Sequence, residues 1–217
     1  MTESTTRITL VRHGHVHNPD NLVYGRLPGF RLSTVGRRQA ASAAGHLSTI
    51  PLAALFCSPQ LRAQETAEHL LQHHPGLSAT DAPLLDEIDC YFEGKPAEEV
   101  EARGWDLYTG VSSGHETPED IAARASSFLL HVRRLWVGRH IAAVSHGDVI
   151  AFLVLWAMKQ PIEVAQKRTL DRFGITDSYP ATASLTTLTY HTSALSEIPD
   201  VDYIRPYDDN LALAALS

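Results

Sequence analysis

Short, uninterrupted apolar runs alternate along this chain with longer stretches in which apolar residues recur every three or four positions. Ile8-Thr9-Leu10-Val11, Ala53-Ala54-Leu55-Phe56-Cys57 and Ile141-Ala142-Ala143-Val144 have the length and aliphatic character of strands buried on both faces. Between them the period changes. Ala40, Ala43, Ala44 and Leu47 share one face of a helix that Ser33 or Thr34 can cap and Pro51 ends. Ala63, Ala67, Leu70 and Leu71 form the stripe of a second helix, opening near Gln60. A long helix is predicted from about Pro118 to Trp136, with Ile121, Ala125, Phe128, Leu129, Val132, Leu135 and Trp136 on one face, Thr117 as cap and Gly138 after it. The run from Val149 to Met158 is apolar all round, which predicts a helix buried on most sides. Pro161 opens a further helix that ends near Gly174, and the threonine-rich alternation of Thr182 to Tyr190 predicts a strand at a sheet edge. From Leu84 to Gly114 the pattern is irregular, a loop with one short helix around Glu98 to Glu101.

Strands alternating with helices predict an α/β fold, a three-layer sandwich of a mostly parallel sheet with helices on both faces. One domain is expected over residues 1–217, with a polar N-terminal tail at about 1–6 and a C-terminal tail at about 200–217. Parallel strands share one carboxyl edge, where such folds hold their ligands. Arg12 and His13, the segment Ser58 to Arg62, and His146 each follow a predicted strand, so all three are expected to meet there.

Composition narrows the chemistry. A formal net charge of −7 argues against a nucleic-acid partner. No run approaches the roughly 18 apolar residues of a membrane span. The first six residues lack the apolar core of a signal peptide, and two cysteines make no disulfide framework, so a cytoplasmic location is expected. The twelve histidines come without CxxC or HExxH spacing, so no metal and no cofactor are expected, and His69, His73 and His74 are read as exposed polar positions.

The expected edge then holds two arginines and two histidines. Arginine offers a planar fork of donors to phosphate oxygens, and a helix opening after His146-Gly147 points backbone donors into the same space. A neutral imidazole beside such a cradle can attack phosphorus. Gly14 is expected to let the backbone turn sharply after His13.

Leu10-Val11-Arg12-His13-Gly14 resembles the opening motif of the histidine phosphatase superfamily, which includes cofactor-dependent phosphoglycerate mutases and many small-molecule phosphatases. The resemblance continues through Leu32-Ser33, Gly36-Arg37-Arg38-Gln39-Ala40, Ser58-Pro59 with Arg62-Ala63 and Thr66-Ala67, Leu85 and Glu87 with Glu93-Gly94, Gly114 and Glu116, and Val144-Ser145-His146-Gly147. It implies a phosphoglycerate mutase-like fold and a phosphohistidine formed on His13. It further implies that Arg12, Arg62, His146 and Gly147 bind the phosphoryl group, with Asn18 as an added donor, and that Glu87 is the proton donor. The sequence departs from the common pattern at four places. Asn18 lies one residue closer to His13, Glu65 replaces a glutamine, the loop between Glu87 and Glu93 is one residue short, and Asp148 replaces a second glycine. Asp86 and Asp89 remain alternatives to Glu87, and Asp148 reads as a helix cap or as a partner that keeps His146 protonated.

The loop Tyr24 to Gly29 lies between the nucleophile and the first helix. Arg26 in it is either a contact for a second anionic group of the substrate or part of a plain turn. The function implied is metal-independent hydrolysis of a small phosphorylated metabolite by an enzyme of the histidine acid phosphatase kind. A phosphomutase is the runner-up, and a catalytically silent phospho-ligand sensor is a rival from another class. No nucleic-acid or membrane partner is expected, and homodimerisation is left open.

Overall fold

A computed structural model describes residues 5–208 and 210–211. Six strands form one sheet in the order β3-β2-β4-β1-β5-β6, comprising β1 (Thr6–Arg12), β2 (Leu52–Cys57), β3 (Ala79–Asp81), β4 (His140–Ser145), β5 (Leu185–Tyr190) and β6 (Asp200–Ile204). Strands β3, β2, β4 and β1 run parallel, β5 pairs antiparallel with β1, and β6 pairs antiparallel with β5. The pleat sorts the central side chains onto two faces. Ile8, Leu10, Ile141 and Ala143 pack with α4 (Pro118–Leu135) and α5 (Gly147–Ala157). Val11, Leu55, Cys57, Ala142 and Val144 pack with α1 (Thr34–Leu47) and α2 (Leu61–Leu71). This is the α/β sandwich read from the sequence.

Local chemistry accounts for the helix ends. Ser33 caps α1 by accepting from the Gly36 amide at 3.0 Å. Thr117 and Asp120 form a reciprocal capping box on α4, with Pro118 in the first turn, where its missing N–H costs nothing. In α5 every residue but Trp156 is buried, as its unbroken apolar run requires. The irregular segment contains a 3-10 turn at Pro83–Leu85 and the short helix α3 (Ala97–Glu101).

Four expectations change. In place of one helix from Pro161 to Gly174 there are two 3-10 turns, Val164–Gln166 and Leu170–Phe173. The chain there bends around a buried cation, Lys167, held by Asp148 Oδ2 at 2.7 Å and the Trp105 carbonyl at 2.9 Å. Strand β5 is internal, because the expected C-terminal tail supplies β6 as the edge beside it, with Asp200 and Asp202 in an acidic edge strand. The first strand already begins at Thr6 inside the expected N-terminal tail, of which residues 1–4 lie outside the described residues. His74 is buried rather than exposed. Among the described residues no helix is long and apolar enough to cross a membrane.

Candidate active site

The carboxyl ends of β1, β2 and β4 deliver His13, Ser58 and His146 to one place. The His13 backbone is pinned on both sides, its amide donating to Ser145 at 3.0 Å and its carbonyl accepting from Ala183 at 3.1 Å. Its ring is 1% exposed, and Nδ1 lies 2.8 Å from the Gly14 carbonyl. A carbonyl only accepts, so Nδ1 carries the hydrogen and Nε2 keeps its lone pair. Burial, with Arg62, His146 and Arg12 around it, holds the His13 imidazole well below its usual pKa and therefore neutral. Gly14 is needed for a different reason from the one expected. Its φ is not left-handed, but a Cβ there would lie 2.4 Å from the Gly36 carbonyl oxygen, so the glycine permits close contact with the start of α1.

Arg62, in the first turn of α2, is 1% exposed. Its Nε donates to His13 Nε2 at 3.3 Å, and its Nη2 donates to the Gly25 carbonyl at 2.8 Å and to Glu87 Oε2 at 3.1 Å. Tyr24 stacks under the guanidinium, 4.7 Å from ring centroid to carbon. His146 caps α5, with Nδ1 3.1 Å from Glu87 Oε2 and Nε2 2.7 Å from Ser58 Oγ. The two imidazole centroids are 5.2 Å apart. Burial lowers the His146 pKa, and Glu87 offsets part of that. Burial alone would raise the Glu87 carboxyl, but His146, Arg62 and His13 outweigh it and hold the group well below its usual range. At the end of β1, Arg12 donates Nη1 to the Pro180 carbonyl at 2.7 Å and lies over Tyr179, while its buried Nε has no partner among the described residues.

Of the three neighbouring carboxylates, Glu87 is the one at the histidines. Asp86 accepts from Gln60 Nε2 at 2.8 Å and from the Glu87 amide at 2.7 Å, and Asp89 faces His115 at 2.8 Å. The shortened loop is tied down by a cluster unforeseen in the sequence. Arg124 donates to Glu116 at 2.6 Å and to the Asp86 carbonyl at 2.8 Å, and Glu116 also accepts from the Asp89 amide at 2.9 Å. Arg26 joins this cluster, donating Nε to the Glu87 carbonyl at 2.7 Å and Nη2 to Glu116 at 2.9 Å. Its backbone lies in the turn that Leu27 closes on the Tyr24 carbonyl at 2.8 Å, one of the two readings of the sequence, while its guanidinium is spent behind Glu87.

A cavity of about 350 Å³ opens over these groups, lined by Arg12, His13, Glu87, Gly147 and, further out, Trp105 and Arg168. Arg62 and His146 stand behind it, against His13 and Glu87. Asn18 lines it too, but both ends of its amide engage Leu22, donating at 2.9 Å and accepting at 3.1 Å, so its main task is to hold the 18–22 turn. Gly147 begins α5, and a Cβ on it would lie 2.2 Å from the Tyr179 hydroxyl. Asp148 neither caps α5 nor approaches His146. It accepts from Tyr108 at 2.6 Å, Tyr179 at 2.7 Å and Lys167 at 2.7 Å.

Donor atoms of His13, Glu87 and His146 lie within 4.8 Å of one another, close enough to gather round one cation. The Arg62 guanidinium already touches all three side chains, and Arg12 adds a second fixed positive charge, so the charge of the site suits an anion. Ser58, Tyr24, Tyr179 and Arg124 were not singled out as functional from the sequence. For Ser58 the signal was present, in its place directly after a buried strand and before a helix.

The family model for the histidine phosphatase superfamily, branch 1, matches residues 8–193. An uncharacterised Mycobacterium tuberculosis protein, Rv0525, is 34% identical over 161 residues, which cover 71% of this chain and 77% of that protein. Danio rerio fructose-2,6-bisphosphatase TIGAR B is 33% identical over 150 residues, covering 65% of this chain and 58% of that protein. Among solved structures, mycobacterial glucosyl-3-phosphoglycerate phosphatase Rv2419c superimposes with a TM-score of 0.72 at 25% identity, covering 92% of this chain and 96% of that one.

Proposed function

The chain belongs to the histidine phosphatase superfamily, and from that membership we propose that it hydrolyses a small phosphomonoester through a phosphohistidine on His13. The observation that carries this reading is the His13 tautomer. With Nδ1–H spent on Gly14, Nε2 carries the lone pair and accepts from Arg62 Nε in the resting site, a donor that a bound phosphoryl group would take over. A neutral imidazole there is already the nucleophilic form.

In the first step Nε2 attacks phosphorus, the phosphorus–oxygen ester bond breaks, and the leaving oxygen takes a proton from Glu87. In the second step water attacks phosphorus, gives its proton to Glu87 and breaks the phosphorus–nitrogen bond, which frees inorganic phosphate and neutral His13. Arg12, Arg62, His146 and the first amides of α5 stabilise the charge on the phosphoryl oxygens in both steps.

Glu87 is anionic in the resting site, so the proton it donates must arrive with the substrate. A phosphomonoester monoanion carries one, with a second pKa near ~6. As its oxygens engage Arg62 and His146, they weaken the interactions that hold Glu87 ionised, and the added negative charge raises its proton affinity. Two arginines and two histidines supply this charge stabilisation, so the reaction needs no metal ion.

The tests are direct. Wild type should release phosphate from p-nitrophenyl phosphate in the presence of a chelator, and from 3-phosphoglycerate without forming 2-phosphoglycerate. His13→Ala should lose about 10⁴-fold in kcat. Equal rates for wild type and His13→Ala would remove the reading, and appearance of 2-phosphoglycerate would turn it to the mutase.

A further inference from the structure

The cavity extends well past the groups that would hold one phosphoryl group. Two of its basic residues are fixed in place by protein partners. Arg12 donates to the Pro180 carbonyl, and Lys167 is buried between Asp148 and the Trp105 carbonyl. Arg168 differs. It is exposed, lines the same cavity, and makes no ion pair or hydrogen bond among the described residues. Its guanidinium carbon lies 4.8 Å from the centroid of the Tyr179 ring. That ring is fixed in turn, because its hydroxyl donates to buried Asp148, which Lys167 and Tyr108 also hold. The Arg12 guanidinium lies 5.3 Å from the same centroid. The two arginines are therefore no farther apart than those two distances laid end to end.

A guanidinium stacked on a locked aromatic ring is partly ordered before any ligand arrives, which reduces the entropy cost of binding an anion. Asp148, the lining carboxylate bonded to Tyr179, is already shared among three donors, one of them a cation. Arg26, the residue that the sequence offered for a second anion, is committed to Glu116 and the Glu87 carbonyl. We propose that Arg12 and Arg168, spaced by the Tyr179 ring, form a two-point anion site. The substrate is then a phosphomonoester whose skeleton carries a second anionic group, a carboxylate or another phosphate, a few bonds from the ester. The inference rests on the phosphatase reading above.

Steady-state kinetics on two matched substrate pairs test it. 3-Phosphoglycerate and glycerol 3-phosphate differ by a carboxylate; propane-1,3-diyl bisphosphate and 3-hydroxypropyl phosphate differ by a phosphate. In at least one pair the wild type should prefer the doubly anionic member. There Arg168→Ala should raise KM about tenfold while changing the singly anionic member by less than about twofold. The pair that splits identifies the second anion. No wild-type preference in either pair, an equal change in all four substrates, or no change in any, overturns the inference and leaves the phosphatase reading standing if p-nitrophenyl phosphate is still hydrolysed. A wild type that hydrolyses no ester at all overturns both.

Discussion

The floor of the cavity, His13 with Arg62 and His146 behind it, consists of residues no more than 1% exposed, each held by a partner from another segment of the chain. At its rim Trp105 is 38% exposed, and among the described residues Arg168 is held only by the face of an aromatic ring. The floor stands on the ends of three neighbouring parallel strands, whose pairing, Arg12 opposite Ser145 and Cys57 opposite Val144, leaves little freedom. The rim comes from irregular segments around 105–108 and 164–179 that meet at Asp148. A group that must meet phosphorus at one distance is placed by the sheet, and a group that chooses among substrates is placed by loops, which can change without disturbing the sheet.

The contrast predicts how variants should sort. Changes at His13, Arg62 or His146 should lower kcat for every ester, changes at or behind Glu87 should act through the leaving group, and changes at the rim should alter KM for some esters. After the loss expected for His13→Ala, the next largest effect is that of Glu87→Gln, which should slow the phosphorylation step, read as kcat/KM, by about 10²-fold for esters with poor leaving groups while barely slowing that step for p-nitrophenyl phosphate. Equal slowing of both would remove Glu87 as the acid. Its pH signature follows from the charge states. His13 stays neutral well below pH 6.5, so the acid side of the profile should hold its rate into that range. For alkyl esters kcat/KM should fall as pH rises past about 6, where the substrate loses the proton it brings. A rate that rises with pH through that window would contradict this.

A smaller loss, about tenfold in kcat/KM, is expected for Arg26→Ala, because it removes one of the two guanidinium groups that hold the Glu87 carbonyl while Arg124 keeps the other. The loss should be confined to poor leaving groups, as for Glu87→Gln, since Arg26 acts by positioning that carboxylate. A selective rise in KM for doubly anionic substrates would instead return Arg26 to the substrate side and blur the distinction between floor and rim.

Much of the floor could be read from the chain. Arg12, His13, Arg62 and His146 each follow a buried strand, and parallel pairing of those strands suffices to bring them together. The rim could not be read in the same way. Lys167 sits where an apolar residue would continue a helix, and only its distant partner Asp148 explains the two 3-10 turns that replace it. Arg26 looked available because its partners, Glu116 and the Glu87 carbonyl, are far away in sequence. Strand β6 alternates exposed Asp200 and Asp202 with Val201 and Tyr203, which pack on the core, but over only five residues, so its edge position is visible only once β5 is in place. For Gly14 the residue type was informative, but the reason lay in the approach of Gly36, a contact that local sequence does not encode.

The central claim is that the phosphoryl group passes through His13. Rapid mixing with an activated aryl phosphate, followed by an alkaline quench and intact-mass measurement, addresses it most directly, because a phosphoryl–imidazole bond survives base and is lost in acid. Wild type should gain the mass of one phosphoryl group, localised to the peptide bearing His13 and removed by acid, and His13→Ala should gain none. Steady turnover with no trapped adduct on wild type, or an adduct that persists in His13→Ala, would contradict the account.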